Sequence, residues 1–164
     1  MTEQHFEIKA GPRGLGAYAT ALVKPGALLL AEPPLLRINT DYYFKFDIEA
    51  LFAALPPSKQ EIYLSLSSAH GQPRDWYPSK IHPAVSSEER KRIKEQHAAR
   101  RGKDKSILSV FMTNAMDTGD GAAVFERASR FNHCCVPNAS FAWNEKLGVE
   151  TIYATKEIEP GEVS

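Results

Sequence analysis

The stretch that decides the fold of this chain is Arg130-Phe131-Asn132-His133-Cys134-Cys135-Val136-Pro137-Asn138. It places two asparagines, a histidine and two adjacent cysteines within nine residues, directly before a segment with the alternation of a hairpin. Side chains of these kinds are costly to bury unless they have partners. The stretch therefore indicates a binding or reactive site, while a polar loop braced by its own amides explains the same residues equally well.

Three kinds of chemistry are open to residues 132–135. A structural zinc site needs about four ligands spaced along the chain, whereas this histidine and both cysteines of the sequence are adjacent, which disfavours a self-contained site. A cysteine nucleophile paired with His133 lacks any supporting local context. In the third interpretation, Asn132 and His133 contact a polar ligand, Pro137 fixes the turn, and Asn138 ties the loop by hydrogen bonds.

Size and composition exclude several classes of protein. The chain has 164 residues, 43% hydrophobic and 24% charged, which suits one domain with a real core. Its net charge is zero, so the whole surface does not attract nucleic acid or an anionic membrane. Two adjacent cysteines make no disulfide framework, and neither a signal-peptide pattern nor a membrane-spanning apolar run is present. We expect an intracellular protein, nuclear or cytoplasmic.

Strands are predicted at both ends of the chain, around a helical middle. Residues 5–38 alternate or form short apolar runs, including Ala27–Ala31, and residues 139–143 with 149–153 have the pattern of a hairpin. Neither strand region forms a stable sheet alone, so the two should meet in an α+β fold.

Two short helices are predicted after residue 44. Asp47 is the candidate cap of a helix that runs to Ala54, because its carboxylate can accept the free N–H groups of a first turn. Pro56-Pro57 ends that helix. Ser58 with Glu61 three residues later is a capping-box pattern for the next one.

A third predicted helix carries much of the basic charge. Ser86 with Glu89 is another capping-box pattern, and Gly102 is the predicted stop. Acidic residues interleave with the basic ones, and no aromatic side chain lies among them. A solvated face with i,i+3 and i,i+4 ion pairs is therefore favoured over nucleic-acid binding. The basic residues are Arg90, Lys91, Arg92, Lys94, Arg100, Arg101, Lys103 and Lys105.

One internal echo links the two ends. The segment Ala19–Ala27 resembles Ala154–Glu162, and each has the pattern of a strand end followed by a Pro-Gly turn. The strand Leu28–Glu32 follows the first copy. A repeated unit and a chance recurrence of Pro-Gly turns explain the pattern equally well.

The glycine loop and the aromatic residues each allow two interpretations. Gly14-Leu15-Gly16 lets a ligand approach the backbone closely, although a tight turn is the commoner use of such a loop. It lacks the further features of a dinucleotide-binding or phosphate-binding loop. Phe141, Trp143 and Tyr153 suit a core, or a channel that holds an alkylammonium group through cation–π contact.

Together these motifs resemble the SET domain of protein lysine methyltransferases. Arg13-Gly14-Leu15-Gly16 is similar to the family's N-terminal Gly-x-Gly loop, and residues 129–138 are similar to its Arg-Phe-x-Asn-His-Ser-Cys-x-Pro-Asn signature. Residues 154–162 resemble its stretch leading to Gly-Glu-Glu. The helical insert and the Asn-His-x-Cys loop are most similar to the split-SET, or SMYD-like, branch.

The resemblance implies an α+β fold, a SET-type β-clip of short strands with a helical insert. It covers residues 5–164 as a single domain. The N-terminal part is 5–38, the insert about 40–110, and the C-terminal part 111–164, which is incomplete by comparison with the family's pattern.

It also implies roles for particular residues. Gly14, Leu15 and Gly16, with Arg13 beside them, line S-adenosylmethionine with backbone groups. Asn132 and His133 hold its amino-acid and adenine parts, while Ser129 and Phe131 shape the same pocket. Cys135 matches a cysteine that in many members binds zinc with three later cysteines, so zinc is expected only if further C-terminal cysteines are present.

The resemblance further implies methyl transfer from S-adenosylmethionine to a lysine of a protein substrate, with no direct role for nucleic acid or membrane. The family's catalytic tyrosine lies beyond its Gly-Glu-Glu stretch, so the chain is expected to be a C-terminally truncated form with weak or no activity. The alternative is a non-catalytic SET-like interaction module. A cysteine-dependent hydrolase is a third and less favoured reading.

Overall fold

The computed structural model describes residues 5–12, 14–73, 80–132 and 137–162. These residues form two compact units, one of residues 1–34 with 125–164, called the β unit below, and one of residues 35–124, called the helical unit. A short 3-10 helix, Ala128–Arg130, belongs to the β unit. In chain order the strands and α-helices are β1 Phe6–Gly11, β2 Gly14–Ala19, β3 Leu28–Glu32, β4 Leu36–Ile38, α1 Lys45–Ala53, α2 Pro57–Ser65, α3 Ser87–Arg101, α4 Ile107–Asn114, β5 Met116–Asp117, β6 Ala122–Val124, β7 Ala139–Asn144 and β8 Val149–Ala154.

Two antiparallel hairpins build the β unit. β1 pairs with β2 from Phe6↔Ala19 to Gly11↔Gly14. β7 pairs with β8 over six residue pairs as well, and in both hairpins the first residue of one strand lies opposite the last residue of the other. β3 adds a third strand to β8, which gives the order β3-β8-β7. The predicted hairpin of residues 139–153 and the predicted strand at Leu28–Glu32 are both confirmed.

The echoed segments bond to each other in a reciprocal pattern. Val23 and Ile158 exchange both N–H···O bonds, each of 2.9 Å. The N–H of Ala19 donates to the carbonyl of Glu162, and the equivalent N–H of Ala154 donates to the carbonyl of Ala27, both at about 3.0 Å. Equivalent positions of the two copies therefore make equivalent bonds, which favours a repeated unit over a chance recurrence.

The helical unit has its own core around α4. Tyr63 and Phe111 are fully buried there, and the Tyr63 hydroxyl donates to the carbonyl of Ile107 at 2.9 Å. Burial raises the pKa of Tyr63 above its usual range. A small sheet in the order β4-β6-β5 completes this unit, and a turn at residues 119–121 joins β5 to β6. The buried core residues are Leu35, Leu36, Ile38, Ile48, Tyr63, Leu66, Leu108, Val110, Phe111 and Val124.

Two predicted helix starts are wrong. The cap residue of α1 is Phe44, and Asp47 instead lies inside the first turn, where its carboxylate accepts the Phe44 N–H at 2.8 Å. α2 begins at Pro57, since a proline fits the first helical position, and this places Ser58 within the helix rather than at its cap. No side chain caps α2, so the predicted Ser58–Glu61 capping box does not form.

The predicted charged helix is confirmed as α3. The Ser86 hydroxyl accepts the Glu89 N–H at 3.1 Å, and Gly102 is the C-cap. Arg92 makes an i,i+3 ion pair with Glu89 at 2.7 Å, and Lys91 makes an i,i+4 pair with Glu95 at 3.9 Å. The mixed charges on α3 thus pair along its surface, as predicted.

Candidate functional site

The glycine loop and the Asn-His stretch meet in the β unit. Gly14 has φ of 96°, which is left-handed backbone that favours glycine. A Cβ atom added to Gly16 would lie 2.7 Å from Nδ2 of Asn132. A larger residue at position 16 would push the Asn132 side chain aside, so two motifs that are more than a hundred residues apart lie side by side.

The 3-10 helix directly precedes Phe131 and Asn132 and positions them next to β2. The Arg130 N–H donates to the Arg127 carbonyl at 2.9 Å, and the Phe131 N–H donates to the Ala128 carbonyl at 3.1 Å. The Phe131 ring is buried against Phe6, with ring centroids 5.0 Å apart in an edge-to-face arrangement. Phe131 thus anchors the segment in the core, and the next residue is left beside Gly16.

A carboxylate that the sequence analysis did not select holds the start of the 3-10 helix. Glu32 ends β3, and its side chain accepts the Arg127 N–H at 2.9 and 3.2 Å and the Ala128 N–H at 2.9 Å. Burial raises the pKa of the Glu32 carboxyl, and the two N–H groups only partly offset this effect. A lone glutamate before two prolines gave no sequence signal for this contact, because its partners are backbone groups 95 and 96 residues away.

Two buried polar atoms at the 3-10 helix have no hydrogen-bond partner among the described residues. Nη2 of Arg127 and Oγ of Ser129 make no hydrogen bond within the part of the chain that the structure describes. The Arg127 guanidinium lies over the Phe6 ring, 4.7 Å from its centroid. Buried polar atoms usually have a hydrogen-bonding partner, so these two are suited to receive polar groups of a ligand.

The predicted aromatic group divides between core and surface. Phe141 packs against Phe131 at 6.3 Å, and Trp143 packs against Phe125 at 6.4 Å between ring centroids. Tyr153 is 41% exposed. Phe141 and Trp143 therefore serve the core of the β unit, while Tyr153 lies on the opposite face of β8.

Several predicted site residues lie outside the described residues, namely Arg13, His133, Cys134 and Cys135. Among the residues that the structure does describe, no group of three or more histidine, cysteine, aspartate or glutamate side chains is arranged to hold a metal ion. In the same part of the chain, no helix is both long enough and apolar enough to cross a membrane.

The chain belongs to the SET domain family, whose model matches residues 14–162. This confirms the predicted SET-type α+β fold and the family resemblance. The chain is 26% identical over 162 residues to histone-lysine N-methyltransferase set5 of Schizosaccharomyces pombe, covering 98% of this chain and 40% of that protein. It is 23% identical over 174 residues to a putative SET domain-containing protein of Acanthamoeba polyphaga mimivirus, covering 95% and 63%. The chain thus spans about half the length of these relatives.

Solved structures show the same fold. A putative histone methyltransferase of Plasmodium falciparum is similar with a TM-score of 0.50 and 11% identity, over 98% of this chain and 90% of that one. The SET domain of LSMT, bound to lysine and AdoHcy, is similar with a TM-score of 0.52 and 13% identity, over 99% and 49%. At these identities the likeness concerns the fold alone.

Proposed function

We propose that this protein binds S-adenosylmethionine and transfers its methyl group to a lysine side chain of a protein. The close approach of Asn132 to Gly16 carries the proposal, because it joins the two motifs that resemble the family's cofactor loops. Membership of the SET family and the likeness to a histone-lysine methyltransferase support it.

The residues beside the loop fit such a cofactor. The backbone of Gly14, Leu15 and Gly16 offers N–H and carbonyl groups without bulky side chains at the two glycines. The Ser129 Oγ, which has no hydrogen-bond partner among the described residues, can bind a polar group of the cofactor, and Asn132 lies beside Gly16. Arg13 and His133 join this site in the proposal on the strength of the motifs, and Phe131 supports it from the core.

The reaction is a displacement at carbon. The lone pair of a deprotonated lysine Nε forms the N–CH₃ bond while the S–CH₃ bond breaks, and its electron pair stays on sulfur as a neutral thioether. The products are a methylated ammonium group and S-adenosylhomocysteine. The protein's part is to align the two reactants and exclude water. The residues assigned here bind rather than react, so any methyl transfer by this chain should be weak.

The remaining expectations complete the proposal. The substrate is a protein, without a direct role for nucleic acid or membrane, and the place of action is the nucleus or cytoplasm. Cys135 would bind zinc together with further cysteines. The domain has N-terminal, insert and C-terminal parts of 5–38, about 40–110 and 111–164, and belongs with the SMYD-like branch.

Calorimetric titration with S-adenosylmethionine and S-adenosylhomocysteine tests the binding step. The native chain should bind one equivalent, and Asn132→Ala should weaken binding by about tenfold, or roughly 1.4 kcal/mol. Asn144→Ala is the matched control, since it removes an asparagine from the β7–β8 turn, where its Oδ1 accepts the Leu147 N–H. Absence of binding by the native chain would overturn the proposal.

Transfer of a radiolabelled methyl group to a lysine-containing peptide tests the reaction, with the lysine-to-arginine peptide as control. Label on the lysine peptide alone supports methyl transfer. Binding without any transfer would favour the non-catalytic interaction module instead.

A further inference from the structure

Glu32 occupies an unusual position for an acidic residue. It ends β3, in which Leu29 and Leu30 are buried, and its carboxylate accepts backbone N–H groups, with no ion pair to another described residue. Two neighbouring charged side chains act on the pKa of Glu32 in opposite directions: Glu126 raises it by repelling the carboxylate, and Arg127 lowers it by attracting the carboxylate. Desolvation of such a group opposes folding, so a neutral side chain would be easier to bury.

What the carboxylate does is fix the first turn of the 3-10 helix. Both N–H groups at its start, those of Arg127 and Ala128, point to the Glu32 oxygens at about 3 Å. Like the first N–H groups of any helix, these two have no acceptor inside the 3-10 helix itself. The oxygens of a carboxylate there can accept both N–H groups at once.

The fixed turn leads directly to the proposed cofactor loop. Ala128, whose N–H Glu32 accepts, also receives the Phe131 N–H on its carbonyl at 3.1 Å. Asn132 follows, and its Nδ2 lies so close to Gly16 that a single added carbon would collide with it. Because Asn132 directly follows this turn, a displaced turn would move Asn132 relative to β2.

We propose that Glu32 is a positioning residue for the cofactor site: through the backbone of Arg127 and Ala128 it sets where Phe131 and Asn132 stand against β2. This inference rests on the proposed function. Glu32 acts through the loop and does not touch the cofactor, so its removal should change affinity for the cofactor through the loss of order at residues 127–132.

Affinity for S-adenosylhomocysteine, measured by calorimetry, provides the first test. Glu32→Ala should weaken binding by about tenfold or more, and Glu32→Gln by less, because the amide oxygen still accepts one N–H. Glu126→Gln is the charge-matched control, since it removes a neighbouring exposed carboxylate, and it should leave affinity unchanged. Equal affinity for the native chain and Glu32→Ala would overturn the proposal.

A second control separates positioning from a general loss of stability. Val23 is buried in the β unit, where it bonds to Ile158, so Val23→Ala lowers stability without touching the 3-10 helix. At a temperature where both variants are folded, Glu32→Ala should weaken binding and Val23→Ala should not. If the two variants weaken binding equally, Glu32 has only a structural role and the proposal fails.

Hydrogen exchange of the ligand-free protein keeps the test independent of the proposed function. In Glu32→Ala, the Arg130 and Phe131 amides should lose about tenfold of their protection, and in Val23→Ala they should keep it. If the native chain binds no cofactor, the proposed function fails, and this exchange pattern still decides whether Glu32 orders the loop. Unchanged protection in Glu32→Ala would contradict the inference.

Discussion

The two hairpins of the β unit share one backbone plan but carry different side chains. β1–β2 and β7–β8 each pair over six residues in the same register, and each is followed by a Pro-Gly turn. At equivalent positions β2 has Gly14, Gly16 and Ala17, while β8 has larger residues: Val149, Thr151 and Ile152, in that order. The small residues of β2 therefore leave space beside its backbone, whereas the larger residues of β8 fill the equivalent space beside their own strand.

The difference extends to the strand edges. β8 has strands on both sides, β3 and β7, and its Ile152 is 0% exposed. β2 pairs with β1, and within the described residues its other edge is met only at Ala19, by residues 161 and 162. Leu15 on β2 is 47% exposed. The second hairpin is therefore the scaffold, while the first leaves its backbone open, which suits the proposed cofactor site.

Removal of the scaffold core should have the largest effect. Ile152→Ala should lower the free energy of unfolding by roughly 2–5 kcal/mol, because the side chain is fully buried and leaves a cavity. Urea denaturation measures the loss. The equivalent position on β2 is already an alanine, Ala17, so a loss below about 1 kcal/mol would remove the contrast between the hairpins.

Filling the open hairpin should affect binding more than folding. Gly16→Ala brings a Cβ atom to 2.7 Å from Nδ2 of Asn132, a side-chain end that can move aside. We expect about tenfold weaker cofactor binding, or roughly 1.4 kcal/mol, with little change in melting temperature.

Its matched control lies at the equivalent position of β8. Thr151→Ala removes a 2.6 Å hydrogen bond to the Ala142 carbonyl, so it should lower stability by about 1 kcal/mol and leave binding unchanged. If both variants weaken binding alike, the division of roles between the hairpins is wrong.

The pH dependence of stability gives a smaller effect. Because burial raises the pKa of Glu32 above its ordinary 4.5, the folded protein holds that proton to higher pH than the unfolded chain does. The stabilisation from this group is therefore full below pH 4.5 and is lost as the pH rises through the folded-state pKa. In urea denaturation, the stability of the native chain relative to Glu32→Gln should fall as pH rises above 4.5. A constant or rising difference would contradict this.

The smallest effect is expected at the surface of β2. Leu15→Thr replaces a half-exposed side chain on an open strand, so stability should change by less than about 0.5 kcal/mol. Cofactor affinity should also stay nearly constant, because the proposed contact at Leu15 uses its backbone. A large loss of affinity, measured by calorimetry, would show that the Leu15 side chain itself binds.

The sequence predicted the elements that depend on local pattern. Three such patterns each predict an element from a few neighbouring residues, and all three are confirmed. They are the alternation of residues 139–153, the apolar run before Glu32 and the cap at Ser86. The predicted starts of α1 and α2 were wrong, because the polar residues Asp47 and Ser58 also fit positions inside a first turn. The starts follow the backbone instead, with extended Phe44 before α1 and Pro57 at the first helical position of α2.

The site was predictable in its motifs and not in its support. Gly16 and Asn132 carry a family pattern, and the structure brings them together. Glu32 has no such pattern, because its partners are two backbone N–H groups far along the chain. The sequence showed that the two echoed segments are similar, but it did not predict the bonds between them, because a repeat does not indicate whether its copies pair with each other.

The most direct test is chemical-shift mapping by NMR, with S-adenosylhomocysteine titrated into the native chain. It asks whether the β1–β2 hairpin binds the cofactor while the β7–β8 hairpin serves as its scaffold. The shifts should be concentrated at the amides of β2 and of residues 127–132, and β7–β8 amides such as those of Thr151 and Ile152 should stay nearly unmoved. Saturable shifts centred on β7–β8, or in the helical unit, would contradict it.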